Sequence, residues 1–394
     1  MEKKTIELAS VIKDIAAGPF GSNLKVSCFV KEGFPIIDGA NLKGIKVTDN
    51  VTKFVTEEKA RSLSRSIASR GDVVVTISGN VGQISYIPDD SHYSEYLVSQ
   101  RQFRVTFDTS KVYVPYLVYY FHTYEGQHKI LSFANQTGVP ALAQPLKNFK
   151  KITLELPPLD EQKQIANICE IITGKIENNI QINDNLQQQA ATLFAQCYEQ
   201  ASAMVPFTSV IQILGGGTPK TGNPLFWNGN VPFFTPKDVG APYTLTTEKT
   251  ITEDGLAHCN SRLYPVNTVF VTARGTVGKV GMPGVPMAMN QSCYALVGKG
   301  IDQLMVYFYT LHTVQALKHK ASGAVFDAIT TRDFETETIR LIADDTAAEF
   351  VSIAKPMFGQ ILGNSIENQR LAALRDALLP RLMSGEIDVS DIAI

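Results

Sequence analysis

The chain has a single tryptophan, Trp227, and only five cysteines, Cys28, Cys169, Cys197, Cys259 and Cys293, scattered over 394 residues. No Cys-x-x-Cys occurs and none of the six histidines falls at zinc-ligand spacing, so neither a disulfide framework nor a metal site is expected. Reduced, buried thiols in a cytoplasmic protein are the expectation. Long apolar runs are missing as well. The richest stretch, VYVPYLVYYFHTY at 112–124, is broken by Pro115 and is shorter than the roughly 18 apolar residues of a membrane helix. The amino end, MEKKTIELAS, lacks a signal-peptide core. Positive charge is not in excess either: 36 Lys and Arg face 38 Asp and Glu, a net −2, which argues against a generally basic nucleic-acid coat. With 44% apolar and 19% charged residues the composition is globular, excluding a disordered or collagen-like chain, and the length predicts two or more units.

Catalytic motifs are also lacking. GGGTPKTG at 215–222 has Lys220 where a phosphate-binding loop requires glycine. NPLF at 223–226 has leucine at the third position of the Asn-Pro-Pro-Phe loop of amino-methyltransferases, and Pro224 and Trp227 read as loop-shaping residues. GNVG at 79–82 and GTVG at 275–278 read as hairpin turns, because a dinucleotide fingerprint needs a following helix. Neither Gly-x-Ser-x-Gly nor His-Glu-x-x-His is present. His122, His258 and His312 stand in apolar or aromatic surroundings and read as packed or capped, and His92, His128 and His319 as surface residues. No catalytic residue and no metal or cofactor ligand is expected.

What is present is a repeat. VVVTISGNVGQI at 73–84 matches VFVTARGTVGKV at 269–280, each a β-branched strand, a glycine-containing turn and a second strand. VYYFHT at 118–123 echoes VYFYTL at 306–311, and Gly138 before a polar loop echoes Gly323. Two helical segments, 159–199 and about 346–384, follow in register at an offset of 185. Charge alternates with this order. Residues 1–157 hold 19 Lys and Arg against 15 Asp and Glu, 158–200 hold 2 against 6, 201–342 hold 11 against 9, and 343–394 hold 4 against 8.

The first helix begins after Pro157-Pro158, a natural start signal. Its apolar stripe is Ile165, Ile168, Ile172, Ile176, Asn179, Asn183, Leu186 and Leu193; the second stripe is Phe350, Ile353, Met357, Ile361, Asn364, Asn368, Leu371 and Leu378. Steps of 3, 4, 4, 3, 4, 3 and 7 are close to the heptad spacing of a coiled-coil seam, and asparagines on such a seam cost stability but fix register. Pro356 is expected to kink or delay the second helix. Helices of about 40 residues would each extend roughly 60 Å. Paired antiparallel, they would carry the globular units at opposite ends of a rod, related by a pseudo-two-fold. DNA rises about 3.4 Å per base pair along a strand, so such a rod matches one to two helical turns.

LPPLDEQKQIANI at 156–168 with KIENNIQINDNLQQQAATLF at 175–194 resembles the central conserved region of the specificity (S) subunits of type I restriction–modification systems. LRDALLPRLMSGEIDV at 374–389 resembles the end of their distal conserved region, while GPFGSNLK at 18–25 and GGGTPKTGNPLFWNGNVPFFTPKDV at 215–239 resemble the openings of their target recognition domains. The resemblance implies mixed α/β architecture, with two α+β recognition domains, 1–157 and 201–342, and an antiparallel two-helix coiled coil from 158–200 and 343–394. It further implies a non-catalytic subunit in which each recognition domain reads one half of a bipartite double-stranded DNA site. The helices would set the gap and dock two methyltransferase (modification) subunits, and restriction/translocase subunits would join them. S-adenosylmethionine, ATP and magnesium would belong to those partners, with no cofactor and no membrane partner for this chain.

Base edges are read by Arg, Lys, Asn, Gln, Ser and Thr. Near strand ends the first unit offers Ser22, Asn23, Lys25, Ser78, Asn80, Gln100, Arg101, Asn135, Gln136, Thr137 and Lys147. The second offers Thr218, Lys220, Lys237, Arg274, Thr276, Lys279, Asn290, Gln291, Thr330, Thr331 and Arg332. Arg274 takes the place of Ser78 in the repeat, as differing half-sites would require. Tyr116, Tyr243 and Phe234 read as core. The rival readings are a coiled-coil scaffold that binds proteins without DNA specificity, and a single-chain DNA methyltransferase.

Overall fold

A computed structural model describes residues 3–135, 140–240, 242–320 and 328–389. The chain forms two compact units, Met1–Gly174 with Leu371–Ile394, and Lys175–Arg370. Both are mixed α/β.

In the first unit a four-stranded antiparallel sheet has the order Ile12–Ala17, Gln102–Phe107, Val73–Thr76, Ile84–Tyr86. The all-apolar run Val73, Val74, Val75 is buried on both faces, the pattern of a strand covered on two sides. A second sheet sets Phe34–Ile37 parallel to Glu95–Val98, through Ile36 opposite Leu97 and Ile37 opposite Val98. Lys4–Glu7 pairs antiparallel with Thr153–Leu156, the strand that leads into the first long helix. The helix Val114–His122, opened by Pro115 in its first turn, buries Tyr116, Leu117, Tyr119 and Phe121 in the core that also holds Val73, Val75 and Phe103.

The second unit repeats this wiring. Its larger sheet begins Ile211–Gly215, Cys293–Gly298, Val269–Thr272, Val280–Pro283, the same four strands in the same order. Trp227–Phe234 runs parallel to Ala288–Met289 through Phe233 opposite Ala288 and Phe234 opposite Met289. Ala203–Pro206 pairs with Thr338–Leu341, which leads into the second long helix, and the helix Gln303–Lys320 stands where Val114–His122 stands in the first. The hairpins expected from the repeat are present in both units: Val75 pairs with Ile84 and Val271 with Val280. Their turns use Gly79, Gly82, Gly275 and Gly278, all at φ between 73° and 90°, a conformation that glycine adopts without a Cβ penalty.

The long helices span Leu159–Gln200 and Asp344–Ser384. Each opens with paired acids, Asp160-Glu161 and Asp344-Asp345, which favour the positive end of the helix dipole. Pro356 does not delay the second helix, which is continuous through it. In the second unit the two helices run antiparallel. Asn179 Nδ2 donates to Asn368 Oδ1 at 2.8 Å, and Asn364 Nδ2 donates to Asn183 Oδ1 at 2.8 Å. The repeat maps Asn179 onto Asn364 and Asn183 onto Asn368, so each bond is the counterpart of the other. Several turns away along the same helices, Phe194 and Phe350 pack edge to face. In the first unit Ile165, Ala166 and Cys169 share a core with Leu379, Leu382 and Met383. One stripe residue departs from expectation: Ile353 is 43% exposed while its neighbour Ala354 is fully buried, because the packed face has turned by one residue there. The thiols depart as well. All five cysteines are free, but only Cys169 and Cys293 are buried, and Cys28, Cys197 and Cys259 are half-buried at the edges of packed elements.

Candidate nucleic-acid interface

The polar residues singled out in the first unit come from loops that the sheet brings together. The turn between Glu95–Val98 and Gln102–Phe107 presents Gln100 and Arg101, and the hairpin presents Ser78 and Asn80. All four line one cleft of about 550 Å³, which Leu24 and Val26 also line. The glycine loop carrying exposed Ser22, Asn23 and Lys25 is pressed onto the same turn. Gly18 N donates to Gln102 O at 2.8 Å, and a methyl group on Gly18 would lie 1.9 Å from Ser99 O. Asn135 is tied in through its N–H, which donates to Ala141 O at 2.8 Å, and Ala141 bridges to Ser78. Lys147 is exposed on the short helix Pro145–Lys150. Gln136 and Thr137, with Gly138 and Gly323, lie outside the described residues.

The second unit assembles the same parts. A methyl on Gly216 would lie 2.1 Å from Asn290 O, the counterpart of the Gly18 approach. On this glycine loop the Thr218 hydroxyl bonds Gln291 Oε1, and Lys220 is exposed while its carbonyl accepts from Trp227 Nε1 at 3.3 Å. Arg274 and Lys279 are exposed on the hairpin, and Arg274 bridges to Ala328 as Ser78 does to Ala141. Lys237 is exposed, 3.8 Å from Glu248. Thr331 and Arg332 are exposed in the first turn of Thr331–Thr336. Arg332 and Lys147 each stand two residues before the phenylalanine that anchors their helix, Phe334 and Phe149.

Three expected readers are already engaged inside the chain. The Thr330 hydroxyl and N–H both bond the Asp333 carboxylate, which makes it a helix cap. The Thr276 hydroxyl donates to Pro236 O at 3.0 Å, and Asn290 Oδ1 accepts from Ser292 N at 3.0 Å. These are turn-forming bonds, which Thr and Asn make as readily as they contact a ligand.

Other features were not singled out from the sequence. Asp38 and Lys53 line the first cleft, 2.6 Å apart. Burial pushes the Asp38 carboxyl up, but the Lys53 ammonium and the Ala40 N–H outweigh it, and the group lies below its ordinary value. Asp38 N donates to Asn41 Oδ1 at 3.1 Å, and at the same point of the second unit Thr235 N donates to Asp238 Oδ2 at 2.8 Å. The shared Pro-apolar-apolar run before them, Pro35-Ile36-Ile37 and Pro232-Phe233-Phe234, was the available signal. The hairpin clamp was also hidden: Gln127 Nε2 donates to Gly82 O at 3.1 Å, and Lys318 Nζ to Gly278 O at 2.6 Å. Burial pushes the Cys169 and Cys293 thiols up to about 12, far from the thiolate form that nucleophilic or metal chemistry uses.

Two copies of one mixed α/β module, each gathering polar turns around the same strand ends, define a duplicated class of protein. The model of the type I restriction modification DNA specificity domain matches residues 25–188 and again 202–372. The specificity subunit of the type I restriction enzyme HindI of Haemophilus influenzae is 30% identical over 185 residues, which cover 45% of this chain and 39% of that relative. The chain therefore spans about two fifths of the length of that protein. The MjaIX specificity subunit of Methanocaldococcus jannaschii is 21% identical over 415 residues, covering 97% of this chain and 93% of that one. The crystal structure of the type I restriction-modification system S subunit from M. genitalium shares the fold, with a TM-score of 0.60 at 14% identity over 97% of this chain and 96% of that one. The chain belongs to the type I restriction-modification specificity subunit family. Specificity subunits of these systems are non-catalytic, and the chain is not an enzyme.

Proposed function

We propose that the chain reads a bipartite DNA target, one half-site per repeated unit, within a type I restriction–modification complex. The observation that carries this reading is the convergence of the glycine loop, the hairpin turn and the glutamine-bearing turn at the same strand ends in both units. Such loops on a rigid sheet can supply base contacts and phosphate contacts together. Exposed Lys25, Arg101, Lys147, Lys220, Arg274, Lys279 and Arg332 provide cations for the backbone. The chain as a whole is not basic, so the complex rather than the isolated subunit supplies the full electrostatic grip.

In this reading the long helices act as a coiled-coil spacer that fixes the gap between half-sites. The paired asparagines pin its register, since sliding one helix past the other would leave buried amides unpartnered. The same helices dock two methyltransferase subunits, and restriction subunits assemble on those; S-adenosylmethionine, ATP and magnesium belong to the partners. The test is an insertion or deletion of one heptad within residues 176–190, followed by methylome sequencing. The modified motif should keep both half-sites and change its gap. An unchanged gap would refute the spacer, and loss of the gene without loss of any methylated motif would refute the function.

A further inference from the structure

We infer that Gln100 and Gln291 are adenine readers, each contacting the same kind of base from the same point of its own unit. This rests on the DNA reading proposed above and adds the base and the residues. The two glutamines are structural counterparts. Each follows a residue whose N–H closes the parallel strand pair: Ser99 N donates to Ile37 O at 2.9 Å, and Asn290 N donates to Phe234 O at 3.0 Å. Each precedes the strand next to the hairpin, Gln102–Phe107 or Cys293–Gly298, and each is exposed.

Each side chain is also placed by the glycine loop. In the first unit Gly21 leaves room for the carboxamide, and a methyl group there would stand 2.8 Å from Gln100 Oε1. In the second the Thr218 hydroxyl bonds Gln291 Oε1. A carboxamide oxygen has two lone pairs, so that bond leaves one acceptor site and both N–H donors of Gln291 for a ligand. The adenine edge in the major groove offers N6–H as donor and N7 as acceptor, the complement of a glutamine carboxamide.

The neighbouring positions show why the coincidence matters. Around these glutamines the units differ at almost every reader: Ser78 against Arg274, Asn80 against Thr276, Arg101 against Ser292, and Phe20 against Thr218 on the glycine loop. Half-sites that differ are read by side chains that differ. A reader kept identical amid this divergence reads a base that the two half-sites share.

The experiment uses the full chain with its modification subunits and scores the methylated motif and binding to oligonucleotide duplexes. Gln100→Ala should lower discrimination at one adenine of one half-site by about tenfold or more, and Gln291→Ala should do the same at one adenine of the other. Gln100→Glu and Gln291→Glu keep the side-chain shape while removing the donor to N7, so they should reproduce the loss with unchanged thermal melting. Gln100→Arg should shift the preference at that position toward guanine. The proposal is overturned if the relaxed position is not adenine, or if the glutamine variants leave the motif intact while Arg101→Ala or Arg274→Ala degrades it, in which case the DNA reading stands. If none of these substitutions alters the motif, the DNA reading falls as well.

Discussion

The two units share their backbone devices and differ in the side chains mounted on them. Gly18 and Gly216 make the same close approach to a carbonyl, Gly79, Gly82, Gly275 and Gly278 take the same left-handed turn, and a polar side chain clamps the second hairpin glycine in each. On that common frame the hairpin of the first unit carries Ser78, Asn80 and Gln83, whereas that of the second carries Arg274, Thr276 and Lys279 at the same positions. The helix starts differ too. Gln162 is buried, accepting from Tyr113 N and donating to Pro157 O, both at 2.9 Å. Its counterpart in the second long helix is Ala347, which instead lines an open groove of about 770 Å³ with Met305, Tyr309 and Val351. Duplication has kept what the backbone cannot vary and released the side chains mounted on it.

The largest expected effect tests the shared frame. Gly18→Ala and Gly216→Ala each force a Cβ into a backbone carbonyl about 2 Å away, which cannot rotate aside. Each should cost about 3 kcal/mol, measured by chemical denaturation, with equal losses in the two units. Gly44→Ala, with nothing within 4 Å of the added methyl, is the control and should change stability by less than about 0.5 kcal/mol. Unequal losses at Gly18 and Gly216 would show that the glycine loops are not equivalent. Next comes the helix start. Gln162→Ala leaves Tyr113 N and Pro157 O without partners and should destabilise the chain by about 2 kcal/mol. Ala347→Gln fills part of an open groove and should be close to neutral, and a comparable loss there would remove this asymmetry.

A smaller, more local effect is expected at the hairpin. Arg274→Ala should weaken discrimination at one base pair of one half-site by about 1–2 kcal/mol, if its guanidinium grips a guanine. Ser78→Ala should have a lesser effect in the other half-site, because a hydroxyl makes one bond where a guanidinium fork makes two. A uniform loss on every DNA sequence would make Arg274 a phosphate contact.

Much of this frame was legible in the sequence wherever the signal was local. The 3- and 4-residue steps from Ile165 to Leu186 marked the first long helix, expected over 159–199 and found over Leu159–Gln200. Valine runs ending in Gly-x-x-Gly marked both hairpins. Non-local pairing was not legible. That Ile36 would lie opposite Leu97, and Phe233 opposite Ala288, depends on chain segments some 55–60 residues apart meeting in space. The equivalence of Gln100 and Gln291 was hidden for a related reason. The offset between the copies is 198 at Gly18, 196 at Ser78, 191 at Gln100 and 185 in the helices, so loops of unequal length break any single alignment. Nor could composition reveal that the Thr276, Asn290 and Thr330 side chains bond within their own chain, since the same groups serve turns and ligands alike.

The smallest effect separates the units by charge at one buried position. Asp72 directly precedes the strand Val73–Thr76, Thr268 directly precedes Val269–Thr272, and both are buried. Each side chain closes the same turn: Ser69 N donates to Asp72 Oδ2 at 2.9 Å, and the Thr268 hydroxyl donates to Pro265 O at 2.8 Å. Burial raises the Asp72 carboxyl above its ordinary value, against the opposing pull of the Thr106 hydroxyl, the Ser69 N–H and Arg104. The folded chain therefore holds this proton more tightly than the unfolded chain, whose aspartate titrates near about 3.9. Stability contributed by this group is fullest below the unfolded value, falls as pH rises from there through the raised folded value, and is level above it. Asp72→Asn removes the titration while leaving an oxygen to accept from Ser69 N and an amide to donate to Thr106. The stability of the wild type minus that of Asp72→Asn, followed by urea denaturation, should thus decline with rising pH across the carboxyl range, whereas wild type minus Thr268→Ser should stay flat. A difference that instead grows with pH would mean that Arg104 and the hydrogen bonds outweigh burial at Asp72.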